Sequence, residues 1–145
     1  MKQIKPRSDC PLSYSLDFFG DKWSLLIIRD MILNNKSTYG EFLNSEEKIA
    51  TNILADRLTM LEAHEFITKK VAEDKKSKFT YLLTEKAIGL VPVIVEFGLW
   101  GTQFHPPGLN EKLALALKED KEGTIGRIKD GLLQKLHSST NRDAL

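Results

Sequence analysis

The chain has 145 residues, 41% hydrophobic and 28% charged, the balance of a soluble globular protein that buries its core without disulfide or metal staples. A single cysteine and three histidines exclude an intrachain disulfide and a Cys/His zinc cage. The opening residues lack the apolar stretch of a signal peptide, and no later run is long enough for a membrane span, so one cytoplasmic domain with or without an appendage is expected.

In chain order, Pro11 opens a helix whose Leu12, Leu16 and Phe19 share a side. Gly20 is expected to end it in a left-handed turn, and Asp21 to cap a second helix. That second helix is largely apolar over 23–32 and belongs at the centre of the core. Thr38 and Glu41 have capping-box spacing at the start of a short third helix. A fourth lies in the stretch IATNILADRLTMLEAHEFI, residues 49–67, with its reading part at 50–63 and the wing at 66–83. Two extended runs follow, with Phe79, Tyr81 and Leu83 alternating with Thr80 and Leu82, and predict a β-hairpin with a charged tip. Thr84 caps a further helix, which Pro92 is expected to kink.

His105-Pro106-Pro107-Gly108 is the clearest boundary. Beyond it, Asn110 caps one amphipathic helix, and Ile125, Ile128, Leu132 and Leu136 line a second. Gly123, Gly126 and Gly131 weaken the latter by up to about 1 kcal/mol each, and its end, 137–145, is expected to fray. The predicted fold is mainly α with a small β-hairpin: a winged helix-turn-helix with a dimerisation helix in residues 1–104, and a C-terminal helical extension in 105–145.

Several fragments in this order carry a resemblance: Cys10-Pro11, Gly20-Asp21-Lys22-Trp23-Ser24, Phe42-Leu43, Leu54-Ala55-Asp56-Arg57-Leu58 with Leu61-Glu62, Leu83-Thr84-Glu85-Lys86, Pro92-Val93 and Trp100-Gly101. Over residues 9–104 the chain resembles the HxlR family of bacterial winged-helix transcriptional regulators. The resemblance implies a homodimer that binds a near-palindromic operator and usually represses nearby genes. It also implies that the helix from Ala50 enters the major groove while the hairpin touches flanking backbone. Ala50 and Ala87 depart from the family's usual serine and glycine, and the extension from Leu109 lies outside the resemblance.

The fourth helix suits that role. At about 100° per residue, Ile53, Leu54, Leu58, Met60 and Leu61 form one broad apolar side. Asn52, Ala55 and Thr59 lie opposite, flanked by Thr51 and Asp56. Small side chains let a helix settle deeply into a groove. Asparagine pairs bidentately with adenine, threonine offers a hydroxyl or a methyl, and aspartate accepts from cytosine N4. An amphipathic core helix with an ordinary solvated face is the bland alternative.

Arg57 falls toward the packed side and needs a partner, for which Glu41 is the candidate. Between Phe66 and Thr80 five lysines face one glutamate and one aspartate, and Lys75, Lys76 and Lys78 are expected to meet DNA backbone. Lys22 and Thr38, at helix starts, are further phosphate candidates. Leu90, Ile94, Phe97 and Trp100 offer more apolar surface than one small domain needs, and pairing across a two-fold axis would bury it.

Cys10 stands where some regulators of this family carry a redox- or electrophile-sensing thiol, although a lone cysteine also serves as a small apolar residue. The expected partners are thus double-stranded DNA, a second copy of the chain, and a small-molecule or redox effector, with no cofactor and no metal. A winged-helix module that docks proteins instead of DNA is the rival reading. Catalysis is not expected, since no phosphate loop, metal-ligand helix or nucleophile–base set is visible.

Overall fold

The computed structural model describes residues 4–71 and 78–143. The order is α1 Pro11–Phe19, α2 Ser24–Leu33, α3 Tyr39–Leu43, α4 Thr51–Ala63, β1 Ile67–Val71, β2 Phe79–Leu83, α5 Glu85–Ile88, α6 Val91–Thr102, α7 Glu111–Glu119 and α8 Lys121–Asp143. This is the predicted winged helix-turn-helix, mainly helical with one antiparallel hairpin. None of the described helices is long and apolar enough to cross a membrane.

The main core forms where Ile28 of α2, Phe42 of α3, Leu54 and Leu61 of α4 and Ile67 of β1 meet, all essentially without solvent contact. Phe18 closes one side of it, edge-on to both His64 and Phe66. Lys86 lays its ammonium over the Phe66 ring, 4.4 Å from the centroid, and donates to the His64 carbonyl at 2.9 Å, fastening α5 to the end of α4.

The hairpin pairs Ile67 with Leu83 and Val71 with Phe79. A third backbone segment joins it: Thr38 bridges to Thr80, and the Tyr81 N–H donates to the Ser37 carbonyl at 2.7 Å. The residues that start α3 therefore also anchor the wing.

Three local expectations need correction. Gly20 is right-handed, with φ −73° and ψ −16°. Its necessity is steric instead, since a Cβ there would stand 2.6 Å from the Leu16 carbonyl oxygen. The helix predicted after Thr84 is two helices, broken at Gly89 and Leu90, and Pro92 sits in the first turn of α6. A first-turn N–H has no partner within the helix, so proline starts α6 rather than kinking it. Finally, α8 does not fray at 137 but continues to Asp143.

That continuity has a packing cause. Leu132, Leu133 and Leu136 lie against the main core, while Ile125 and Ile128 join Leu113 and Leu117 around Val91 and Val95 of α6. Near its end, α8 reaches the hairpin, where Lys70 donates to Ser139.

Candidate nucleic-acid interface

The geometry begins in the turn ahead of α4. Buried Asp30 accepts from the Ser45 hydroxyl at 2.5 Å and from the Asn34 amide at 2.9 Å, while Arg29 grips Asp30 and makes a fork-like pair with Glu47 at 2.8 and 2.9 Å. These contacts pin the α3–α4 turn to α2. The hydrogen bonds from Arg29 lower the Glu47 carboxyl to about 2, and the same bonds raise the guanidinium above its ordinary value. Sequence reasoning missed this network; its one visible trace is an Arg-Asp pair inside an otherwise apolar helix.

α4 then presents two faces as predicted. Leu54, Leu58 and Leu61 are buried, while Thr51, Asn52, Ala55, Asp56 and Thr59 are exposed. The Thr59 hydroxyl donates to the Ala55 carbonyl at 2.9 Å, so its oxygen faces outward as an acceptor beside its methyl. The Tyr39 hydroxyl donates to the Thr51 carbonyl at 3.2 Å and fixes α3 against the start of α4.

Arg57 finds partners other than the expected Glu41. Its Nε donates to Asp56 at 3.1 Å, its Nη2 makes a second contact with the same carboxylate, and its Nη1 lies 3.6 Å from Asp21. Glu41 is occupied by the capping box, accepting from the Ser37 and Thr38 N–H groups at 3.1 Å each. The physical reason is rotational: Arg57 points toward the α1–α2 turn, away from α3. Burial alone would raise the Asp21 carboxyl, but hydrogen bonds from Ser24 and Trp23, with the Arg57 charge, hold it below its ordinary value. Asp21 thus caps α2, receiving the Ser24 and Trp23 N–H groups at 2.9 Å, and tethers α4 through Arg57.

Between α4 and the hairpin runs an open cleft of about 490 Å³, lined by Thr38, Ala55, Thr59, Lys69 and Lys78 among others. Thr38 joins it with its hydroxyl already engaged by Glu41, which limits it as a phosphate ligand. Lys69, paired with Tyr81 across the sheet, was not singled out from sequence; register places its ammonium 3.9 Å from the Phe79 ring centroid. Lys75 and Lys76 lie outside the described residues.

Lys22 is elsewhere. With its ammonium 5.2 Å from the Trp23 ring centroid, it borders an apolar groove of about 400 Å³ that includes Phe19, Leu25, Ile94, Phe97 and Leu109. The four predicted dimer residues divide there. Ile94 is buried within the chain and Leu90 packs partly against the core, whereas Phe97 and Trp100 are 62% and 65% exposed. Phe104, 69% exposed, meets Trp100 in a tilted ring contact at 5.2 Å between centroids and extends the aromatic surface.

Cys10 is exposed at the N-terminal cap of α1. Arg7, close to it in sequence, donates to Asp17 at 2.7 Å.

Comparison with known proteins agrees with this architecture. A family model described as HxlR-like helix-turn-helix matches residues 18–108. The HTH-type transcriptional regulator YodB of Bacillus subtilis (strain 168) is 31% identical over 68% of this chain and 88% of its own. Its reduced form superimposes with a TM-score of 0.53 at 32% identity, covering 70% of this chain and all (100%) of that one, and a quinone-bound form is also known. The redox regulator HypR in its oxidized form gives a TM-score of 0.60 at 27% identity, over 66% of this chain and 98% of its own. The structure of PA1607, proposed to be a transcription factor, gives 0.62 at 36% identity over 72% of each chain. α7 and α8 fall beyond the matched residues.

Proposed function

The chain belongs to the HxlR-like helix-turn-helix family of DNA-binding transcriptional regulators, and from that premise we propose that it is a homodimeric repressor reading a near-palindromic operator. The observation that carries the reading is the exposed face of α4. Asn52, Ala55 and Thr59 present short, hydrogen-bonding or absent side chains there, and the same face continues into a lysine-lined cleft. In this reading α4 enters the major groove, with Thr51, Asn52, Asp56 and Thr59 at base edges, and Lys69 and Lys78 contact phosphates. Asp56 approaches the polyanion with its charge offset by Arg57.

Residues 1–104 form the DNA-binding and dimerisation unit of this proposal, and 105–145 its brace. Two copies pair through Phe97, Trp100 and Phe104, setting two reading helices about one helical turn apart. Cys10 is the proposed point of redox or electrophile input, supported by its exposure and by relatives known in oxidized and quinone-bound forms. No catalytic role is proposed.

Fluorescence anisotropy against the duplex upstream of the protein's own gene, beside a scrambled duplex, tests the reading at two salt concentrations. Selective, salt-sensitive binding is expected, with about 0.9 log units of slope per phosphate neutralised. No binding to either duplex at low salt would favour the protein-docking module, toward which Asp56 and Glu62 on the exposed face already point.

A further inference from the structure

A second groove, of about 910 Å³, lies between α8, the end of α2 and the face of the hairpin turned away from α4. Buried Met31 and half-buried Leu82 and Leu132 supply apolar wall, and Gly131 leaves an opening in it, since a Cβ there would meet nothing within 4 Å. A mid-helix glycine in open space forgoes about 1 kcal/mol of helix stability relative to alanine, with no close approach to require it.

The polar lining is one-sided. Lys36, Lys70, Lys135 and Arg142 border the groove, and no Asp or Glu is among the described residues that line it. Lys36 has Asp30 at 3.6 Å, but the Lys135 ammonium contacts only a neutral group, the Asn35 amide oxygen, in its one hydrogen bond among the described residues. Asn35 holds that position from a left-handed backbone, φ 52°. A cation satisfied by an amide gains from an anionic replacement, because charge-assisted hydrogen bonds are the stronger kind.

Size, apolar wall and cationic rim together describe a pocket for a small amphipathic anion rather than a strip for phosphate backbone. Ligand sites commonly have this volume and this mix of apolar lining with a few polar groups, whereas contacts to a nucleic-acid backbone call for charge without an apolar recess. We propose that this groove binds a small organic acid, a carboxylate or phosphate ester on an apolar body, with the acid at Lys135 and Arg142 and the body against Met31, Leu82 and Leu132. Because the ligand would touch both α8 and the wing, its occupancy shifts operator affinity. That consequence alone rests on the DNA-binding reading; the binding does not.

The test is amide NMR of the full chain, without DNA, titrated with benzoate, phenyl phosphate and, as neutral control, benzyl alcohol. Either acid should give saturable shifts centred on Val71, Leu82, Gly131 and Lys135, and the two acids together separate carboxylate from phosphate preference. Lys135→Glu should weaken binding about tenfold, the loss of one charge-assisted hydrogen bond. Gly131→Phe should abolish it by filling the recess. Gly126→Ala, on α8 outside the groove and in open space, should leave binding intact and controls for folding. Equal binding of benzyl alcohol, shifts centred on Phe97 and Trp100, or no saturable shift at millimolar acid would each overturn the proposal. So would perturbation of these amides by duplex DNA and not by the acids, which would make the groove a phosphate-contact surface.

Discussion

Arg57 spends its charge in two directions, on Asp56 within α4 and on Asp21 at the start of α2. The pair with Asp56 is largely solvated, so it adds no more than about 1 kcal/mol to folding. Its larger effect falls on the exposed face, where an unpaired carboxylate would repel phosphate. Arg57→Ala should therefore leave the thermal melt nearly unchanged and weaken duplex binding several-fold at low salt, and Asp56→Ala in the same background should restore it. Failure of the second change to rescue would mean that Arg57 itself touches the backbone. Asn52→Ala should cost about 1–3 kcal/mol and relax selectivity at one operator position, read from a panel of single-base operator variants.

Glu47 makes a pH prediction. Its folded carboxyl is held at about 2 by Arg29, below the ordinary glutamate value of about 4.3. A depressed folded pKa contributes stability that is present above the unfolded value and is lost as pH falls toward the folded one. The stability gap between the parent protein and Glu47→Gln should hold steady near neutrality, then shrink between about pH 4.3 and about pH 2. Circular-dichroism melts across that range measure it, and a gap independent of pH would contradict the assignment.

At the scale of elements, the end of α4 is informative because it breaks a sequence rule. The Phe66 N–H donates to the Leu61 carbonyl at 2.9 Å and the Glu65 N–H to the Glu62 carbonyl at 3.1 Å, the double closure usually built on glycine. Here Glu65 adopts φ 63°. A non-glycine residue in that region costs about 1–2 kcal/mol, partly offset by the extra unfolded-state entropy of glycine. Glu65→Gly should accordingly raise stability by a fraction of that amount, measurable by urea unfolding, while DNA affinity stays level. For the hairpin, Lys69→Ala with Lys78→Ala should flatten the salt dependence of binding by about 1.8 log units if each lysine meets a phosphate, without altering sequence preference.

At the scale of the whole molecule, the exposed Phe97, Trp100 and Phe104 make an aromatic surface of the kind that marks interaction sites, and the proposed dimer would bury it. Replacing Phe97 and Trp100 together with glutamate should yield monomers in sedimentation, with a folded amide spectrum and much weaker operator binding, since one reading helix then acts alone. A dimer surviving that change would move the interface elsewhere, with the exposed Leu12 and Leu16 of α1 the next candidates.

Periodicity and cap chemistry were legible from the chain alone, because they depend on neighbours three or four residues apart. That is why the capping box at Thr38 and Glu41, the two faces of α4, the β-hairpin that follows it and the cap at Asn110 all appear as expected. Partners chosen across the fold were not legible. Arg57 selects Asp56 and Asp21 over Glu41, Arg29 reaches Glu47, and Ile94 turns inward while Trp100 turns out. The same limit applied to α8, whose glycines suggested a weak helix until Leu132, Leu133 and Leu136 were seen buttressed by the core. Sequence by itself determined the order of the elements and the face α4 turns outward, since local backbone and side-chain periods decide these, though not the break between α5 and α6. Tertiary structure alone decided which charges meet and where α8 backs the wing, because contacts such as Arg57 to Asp21 and Arg29 to Glu47 join residues far apart in the chain through side-chain directions that no local period encodes.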